Sequence, residues 1–252
     1  IFRQLKGLES FIDVSSVHWF MREHGWTFES GPGVVQDPIC NAQYMHQIYT
    51  SADSTYSGRV TVPVLWDKQN KTIVNNESSE LIRMFNSAFD EVGATPGDYW
   101  PIGLRDEIEV VNERVYHTLN NGVYKCGFAT TQSAYDAAIV PLFDTLDWLE
   151  SLLSRQAFLC GDVITEADWR LFTTLVRFDA VYFTHFKCNK KPIADYPNLS
   201  NYTRQLYQWP GVSETVNFEH IIRHYYESHP TVNPHGIVPI GPDLNFDAPH
   251  NR

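Results

Sequence analysis

Gly58-Arg-Val-Thr-Val-Pro-Val-Leu-Trp-Asp67, with Thr72-Ile-Val-Asn-Asn-Glu-Ser-Ser-Glu80 shortly after it, decides how this chain is read. A short β-branched run carries Pro63 in its interior. Proline cannot donate to a strand ladder, so it is normally confined to edges and bulges. The exception is a cis turn that presents backbone to a ligand. The second run leads into Glu77 and Ser78, where a helical pattern opens. A helix N-terminus offers free N–H groups and the positive end of the macrodipole, both of which favour a carboxylate. These parts suit a small zwitterionic peptide: Val62, before a cis Pro63, pairs with its backbone, Ser78 takes its carboxylate and Glu77 its ammonium. The competing reading of Glu77 and Ser78 is plain helix capping.

Working outward, residues 1–8 read as the end of a helix closing at Gly7. Phe11 to Trp19 reads as a strand with Val14, Val17 and Trp19 as pleat residues. Gly25 to Asn41 reads as a loop and Ala42 to Ser51 as a short helix. Thr61–Trp66 and Thr72–Val74 form an expected hairpin around Lys68–Lys71, and Ser78 to Phe89 closes an α/β domain. Gly93 to Gly103, rich in Gly and Pro, is the expected linker. From Leu104 the pattern is helical: Ile139, Leu142, Phe143, Leu146, Leu149 and Leu153 recur at helical spacing, with Pro141 near the start of that helix. Thr165-Glu-Ala-Asp168 is a capping-box pattern, with Ile164 and Trp169 spaced as a hydrophobic staple. Pro230 to Arg252 is Pro-rich and aperiodic, which leaves it either disordered or wrapped over a surface.

The 252 residues suffice for one or two domains with a sizeable core. A formal net charge of −11 disfavours nucleic acid and anionic membrane surfaces. No apolar run is long enough to span a bilayer. The four cysteines, Cys40, Cys126, Cys160 and Cys188, are widely spaced without a CxxC or a metal-like cluster, a pattern that fits reduced intracellular thiols and a cytoplasmic protein. N-x-S/T matches such as those beginning at Asn70, Asn76 and Asn198 carry no meaning without secretion.

Across nearly its whole length the chain resembles the glutathionyl-hydroquinone reductases, the Xi class of glutathione transferases. The likeness rests on Gly25-Trp-Thr-Phe28, Gly58 to Asp67, Ile73 to Glu80 and Met84-Phe-Asn-Ser-Ala-Phe-Asp90. It continues through Asn120-Asn-Gly-Val-Tyr-Lys125, Tyr225-Tyr-Glu-Ser-His229, Asn233 to Pro242 and Pro249-His-Asn-Arg252. The resemblance implies a thioredoxin-like glutathione-binding domain over 1–92, an all-helical domain with an aromatic-substrate site over 104–229, and an ordered C-terminal extension over 230–252. It also implies a homodimer, with glutathione as co-substrate. No metal or nucleotide motif is present.

By the same resemblance, glutathione is held by Trp26, Arg59, Val62, Glu77 and Ser78. Read by residue type alone, Trp26 after a Gly is a packed lid and Arg59 a solvated strand neighbour. The resemblance places Tyr124 and Tyr225 against the aromatic substrate, with Tyr226 and His224 as neighbours. The bland reading of each Tyr is burial with a satisfied hydroxyl, and of a lone His a structural role.

The family's nucleophile is a Cys in a Cys-Pro-Trp-Ala-His-Arg-like motif just ahead of a segment like Ile1 to Glu9. That motif is not among these residues, so the expectation is a fragment whose first strand and catalytic Cys lie upstream, inactive by itself. Among the visible thiols only Cys40 lies in the α/β part, and it reads as a small apolar filler. Two rival readings remain: a non-catalytic binder of glutathione conjugates or aromatic ligands, and an ordinary conjugating transferase using Ser or Tyr.

Overall fold

A computed structural model describes residues 1–252. The chain divides into two compact units, Phe2–Gly97 with Asn217–Ser228, and Asp98–Val216 with His229–Arg252. Their border falls inside the expected Gly93–Gly103 linker. Helix Phe218–Ser228 belongs by contact to the N-terminal unit, although its place in the sequence is far downstream.

The N-terminal unit is α/β. Helix Phe2–Leu5 ends at Gly7, whose φ of +60° is left-handed. A Cβ on Gly7 would also stand 2.6 Å from Thr95 Oγ1, so glycine is required there twice over. Helix Met45–Ala52 buries Met45, Ile48 and Tyr49 on one face. These pack with Phe28 and Ala42, and Trp26, Val60, Val64, Trp66 and Ile73 lie against that cluster. Strands Leu65–Asp67 and Thr72–Asn75 form the expected antiparallel hairpin, with Trp66 opposite Ile73. Asp67 Oδ1 accepts from the amides of Gln69 (2.8 Å) and Asn70 (3.0 Å), closing the turn as an Asx motif. Lys6, 1% exposed, donates to Asp90 Oδ1 at 3.1 Å and to Gly97 O at 2.8 Å, so its buried ammonium is paired.

Two local expectations fail. Phe11 to Trp19 forms no strand: Ser16 makes only an isolated bridge to Val35, and Phe11 and Val14 are about half exposed. Asp13, Ser15 and Ser16 leave too little apolar alternation to bury a face, and the Trp19 carbonyl accepts from side chains instead of a ladder. The long helix containing Pro141 starts at Gln132, with Thr131 Oγ1 accepting from Ala134 N at 3.2 Å. Pro141 therefore sits inside the helix. Its buried face, from Ala138 to Leu153, holds the helix across the missing N–H.

The second unit is all-helical around Gln132–Leu153 and Glu166–Arg177. The Thr165–Asp168 capping box is present. Asp168, fully buried, accepts from Leu159 N (2.9 Å), Thr165 N (2.8 Å), Thr165 Oγ1 (3.0 Å) and Tyr202 Oη (2.6 Å). Burial pushes its carboxyl up, and those four donors offset part of the rise. The tail is an ordered wrap. Arg252 donates to Gln205 Oε1 (3.1 Å) and to the carbonyls of Leu153 (3.1 Å) and Gln156 (3.1 Å), while Gln208 Nε2 donates to Phe246 O at 2.8 Å. No helix is long and apolar enough to cross a membrane.

Candidate functional site

The Val62–Pro63 bond is cis, and Val62 is exposed at 40%. Tyr49, 2% exposed, organises the surroundings. Its hydroxyl donates to Thr61 O at 2.9 Å and accepts from Asn76 Nδ2 at 3.0 Å. Asn76 Nδ2 also lies 3.4 Å from Thr61 Oγ1. Thr61 precedes Val62 and Asn76 precedes Glu77, so this small network ties the two expected peptide-binding segments side by side.

Glu77 is the N-cap of helix Ser78–Ser87 and makes no side-chain cap bond. Its carbonyl accepts from Glu80 N (3.0 Å) and Leu81 N (2.9 Å). The Glu77 carboxylate and the Ser78 hydroxyl face solvent, at the positive end of the helix dipole. The Glu77 side chain is therefore not consumed by capping. Arg59 is exposed, and its carbonyl accepts from Tyr56 Oη at 2.6 Å.

Trp26 is half-buried on the same unit's core, and its carbonyl accepts from Met45 N at 2.9 Å. His224 stacks on it with ring centroids 4.7 Å apart and planes at 29°. The structure thereby joins a residue expected at the glutathione site to one expected at the aromatic-substrate site. Tyr225, 5% exposed, sits edge-on to His224 at 5.4 Å, and Tyr226 is 4% exposed. Both rings are almost fully buried.

In the helical unit, Tyr124 is 38% exposed and heads an aromatic cluster. It lies 5.3 Å from Phe186, 6.1 Å from Tyr182 and 6.4 Å from Phe128, centroid to centroid. Two π-helical turns, Tyr116–Asn120 and Phe178–Tyr182, lead into the segments that carry these rings. Such turns recur at functional sites because they re-aim the following side chains. Asn120 Nδ2 pins the first of them through Thr174 Oγ1 at 2.6 Å. Sequence reasoning missed Tyr49, Asn76, Phe128, Tyr182 and Phe186. The short helix carrying Tyr49 was legible, but nothing local named its partners.

None of the four visible thiols is both accessible and lowered. Burial raises the Cys40 thiol, and it pushes that of Cys160 to about 12. Cys188, buried in the helical unit, donates to Phe186 O at 3.7 Å; the neighbouring Cys126 thiol and burial raise its thiol, while the same neighbour lowers that of the buried Cys126.

Residues 132–205 match the family described as glutathione S-transferase, C-terminal domain. The chain is 61% identical over 242 residues to glutathionyl-hydroquinone reductase PcpF of Sphingobium chlorophenolicum, covering 96% of this chain and 77% of that protein. It is 56% identical to glutathionyl-hydroquinone reductase YqjG of Escherichia coli K12, covering 100% of this chain and 77% of the relative. The chain belongs to the glutathionyl-hydroquinone reductases. The glutathione-bound structure of Escherichia coli YqjG superposes with a TM-score of 0.98 at 56% identity, over 99% of this chain and 82% of that one. An Xi-class glutathione transferase from Natrialba magadii gives 0.97 at 47% identity, over 99% and 77%. As a member of this reductase family, the chain has a thioredoxin-like α/β part and an all-helical glutathione-transferase part.

Proposed function

We propose that this protein reduces glutathionyl-hydroquinones to hydroquinones at the expense of glutathione. The observation that carries this reading is the Thr61–Tyr49–Asn76 network, which sets Val62 beside an N-cap whose acidic side chain is not used for capping. Val62 offers backbone to the peptide, Ser78 and the helix N-terminus take a carboxylate, and Glu77 takes the ammonium. Trp26 and Arg59 complete the glutathione site, Arg59 by pairing with a carboxylate.

The reaction is thiol exchange at a carbon-bound sulfur. A Cys thiolate attacks the sulfur of the conjugate, forming a Cys–glutathione disulfide, and the ring carbon leaves with the former C–S electron pair. That carbon is a poor leaving group unless it is protonated first. Phenolic donors on the substrate oxygens favour a keto tautomer whose C–S bond breaks readily, and Tyr124, Tyr225 and Tyr226 are the candidates. A second glutathione resolves the mixed disulfide, so the sum is conjugate plus glutathione to hydroquinone plus glutathione disulfide. The nucleophile in this reading is the Cys of the family's Cys-Pro-Trp-Ala-His-Arg-like motif. A homodimer in the cytoplasm is part of the same proposal.

The test is incubation of the full-length protein with a glutathionyl-hydroquinone and glutathione. Hydroquinone and glutathione disulfide should form in equal amounts. Tight binding of the conjugate with no hydroquinone released would overturn the reading in favour of a binding protein.

A further inference from the structure

Helix Phe218–Ser228 is bonded along its length to residues 19–32 of its own unit. Trp19 Nε1 donates to Glu227 Oε2 at 3.0 Å and Met21 N to Ser228 Oγ at 3.0 Å. Ser228 Oγ donates to Trp19 O at 3.1 Å, and His220 Nε2 lies 2.6 Å from Pro32 O. His224 stands between these anchors, with Nδ1 2.8 Å from Trp19 O. A carbonyl oxygen only accepts, so Nδ1 carries the proton, and that bond fixes both tautomer and ring plane. The ring so fixed is the one stacked on Trp26.

We infer that His224 is a positioning residue of the glutathione site, which acts by setting the plane of the Trp26 indole and not by touching the hydroquinone. This rests on the proposed role of Trp26 in holding glutathione. A large side chain at the mouth of a site loses rotamer freedom when a ligand immobilises it, and a side chain already held does not. Trp26 has its main chain held by Met45 N, the core cluster behind it, and the His224 imidazole stacked on it. The imidazole is held in turn from a segment some two hundred residues away in sequence. Glutathione affinity in this protein is therefore set partly by its C-terminal helix.

Three substitutions separate the stack from the hydrogen bond. His224→Ala removes both. His224→Phe keeps a ring on Trp26 and loses the donor, and Trp19 O still accepts from Ser228 Oγ. His224→Asn keeps an N–H for Trp19 O and loses the ring. In the full-length protein, His224→Ala should weaken glutathione binding, measured by calorimetry, about two- to tenfold, the worth of one aromatic stack. The kcat at saturating glutathione should be unchanged. His224→Phe should restore wild-type affinity, and His224→Asn should be as weak as His224→Ala. Wild-type affinity in His224→Ala overturns the inference. So does rescue by Asn with none by Phe, or a fall in kcat at unchanged affinity. Should His224→Ala fail to fold, the Phe and Asn variants decide by themselves. Trp26→Ala is the control: unchanged affinity there removes the glutathione role of Trp26 itself, whereas weak binding there with normal His224→Ala removes only the positioning role.

Discussion

Asn76 Nδ2 donates to the Tyr49 hydroxyl at 3.0 Å, so a helix face and a helix N-terminus distant in sequence meet at the segment leading into Val62. The same hydroxyl accepts from Thr61 N at 3.3 Å and donates to Thr61 O at 2.9 Å. Removing it with Tyr49→Phe leaves buried polar groups with fewer partners, at a cost of about 1–2 kcal/mol. Tyr49→Phe and Asn76→Ala should each raise the KM for glutathione about fivefold. Steady-state kinetics at saturating conjugate would check this, and a KM at the wild-type value in both would sink it.

Gly127 packs against Phe186, one of the rings beside Tyr124. A Cβ there would fall 2.0 Å from Phe186 Cδ1, closer than any side chain tolerates. Gly127→Ala should therefore displace Phe186 and destabilise the helical unit by about 1–3 kcal/mol, as overpacking does. A denaturant melt measures the loss, and a midpoint equal to wild type would show that the ring has room to move.

Asp168 collects four donors at the start of helix Glu166–Arg177. Asp168→Asn turns one acceptor oxygen into a donor that faces N–H and O–H groups. The loss should be about 3 kcal/mol or more, because a buried network left partly satisfied is worse than none. A Tm about 6–12 °C lower is expected for a chain of this size. Tyr202→Phe, which removes a single donor, should cost visibly less in the same scan.

Asp67 supplies a pH signature. Its carboxyl is held below the ordinary 3.8, first by the backbone N–H of Asn70 and then by that residue's side chain. A carboxyl lowered in the folded state adds stability above its unfolded value, and the contribution is lost as pH falls through the folded value. Asp67→Ala should therefore melt earlier than wild type at pH 6, with the gap closing below about pH 4. Parallel melting curves across that range would show that the turn does not depend on this charge.

Local chemistry was legible wherever a few consecutive residues carry the signal. Val62–Pro63 is cis, the Lys68–Lys71 turn joins two antiparallel strands, and Thr165 and Asp168 form their capping box. Pattern reading failed where local alternation was too weak to compete with distant partners. Phe11 to Trp19 looked like a strand, but the Trp19 carbonyl is taken by His224 and Ser228. Pro141 looked like a helix start, but the apolar face from Ala138 onward carries the helix through it.

The sequence by itself determined the family, the α/β-then-helical order and the two segments expected to hold a peptide, because each is written in residues adjacent along the chain. Only the tertiary structure decided which side chains share a site. It put His224 on Trp26, Asn76 on Tyr49 and Phe186 against Gly127. Helical and strand periodicity state which face is buried and carry no information about what buries it. Those partners are chosen by close packing and by the need of every buried N–H and C=O for a mate.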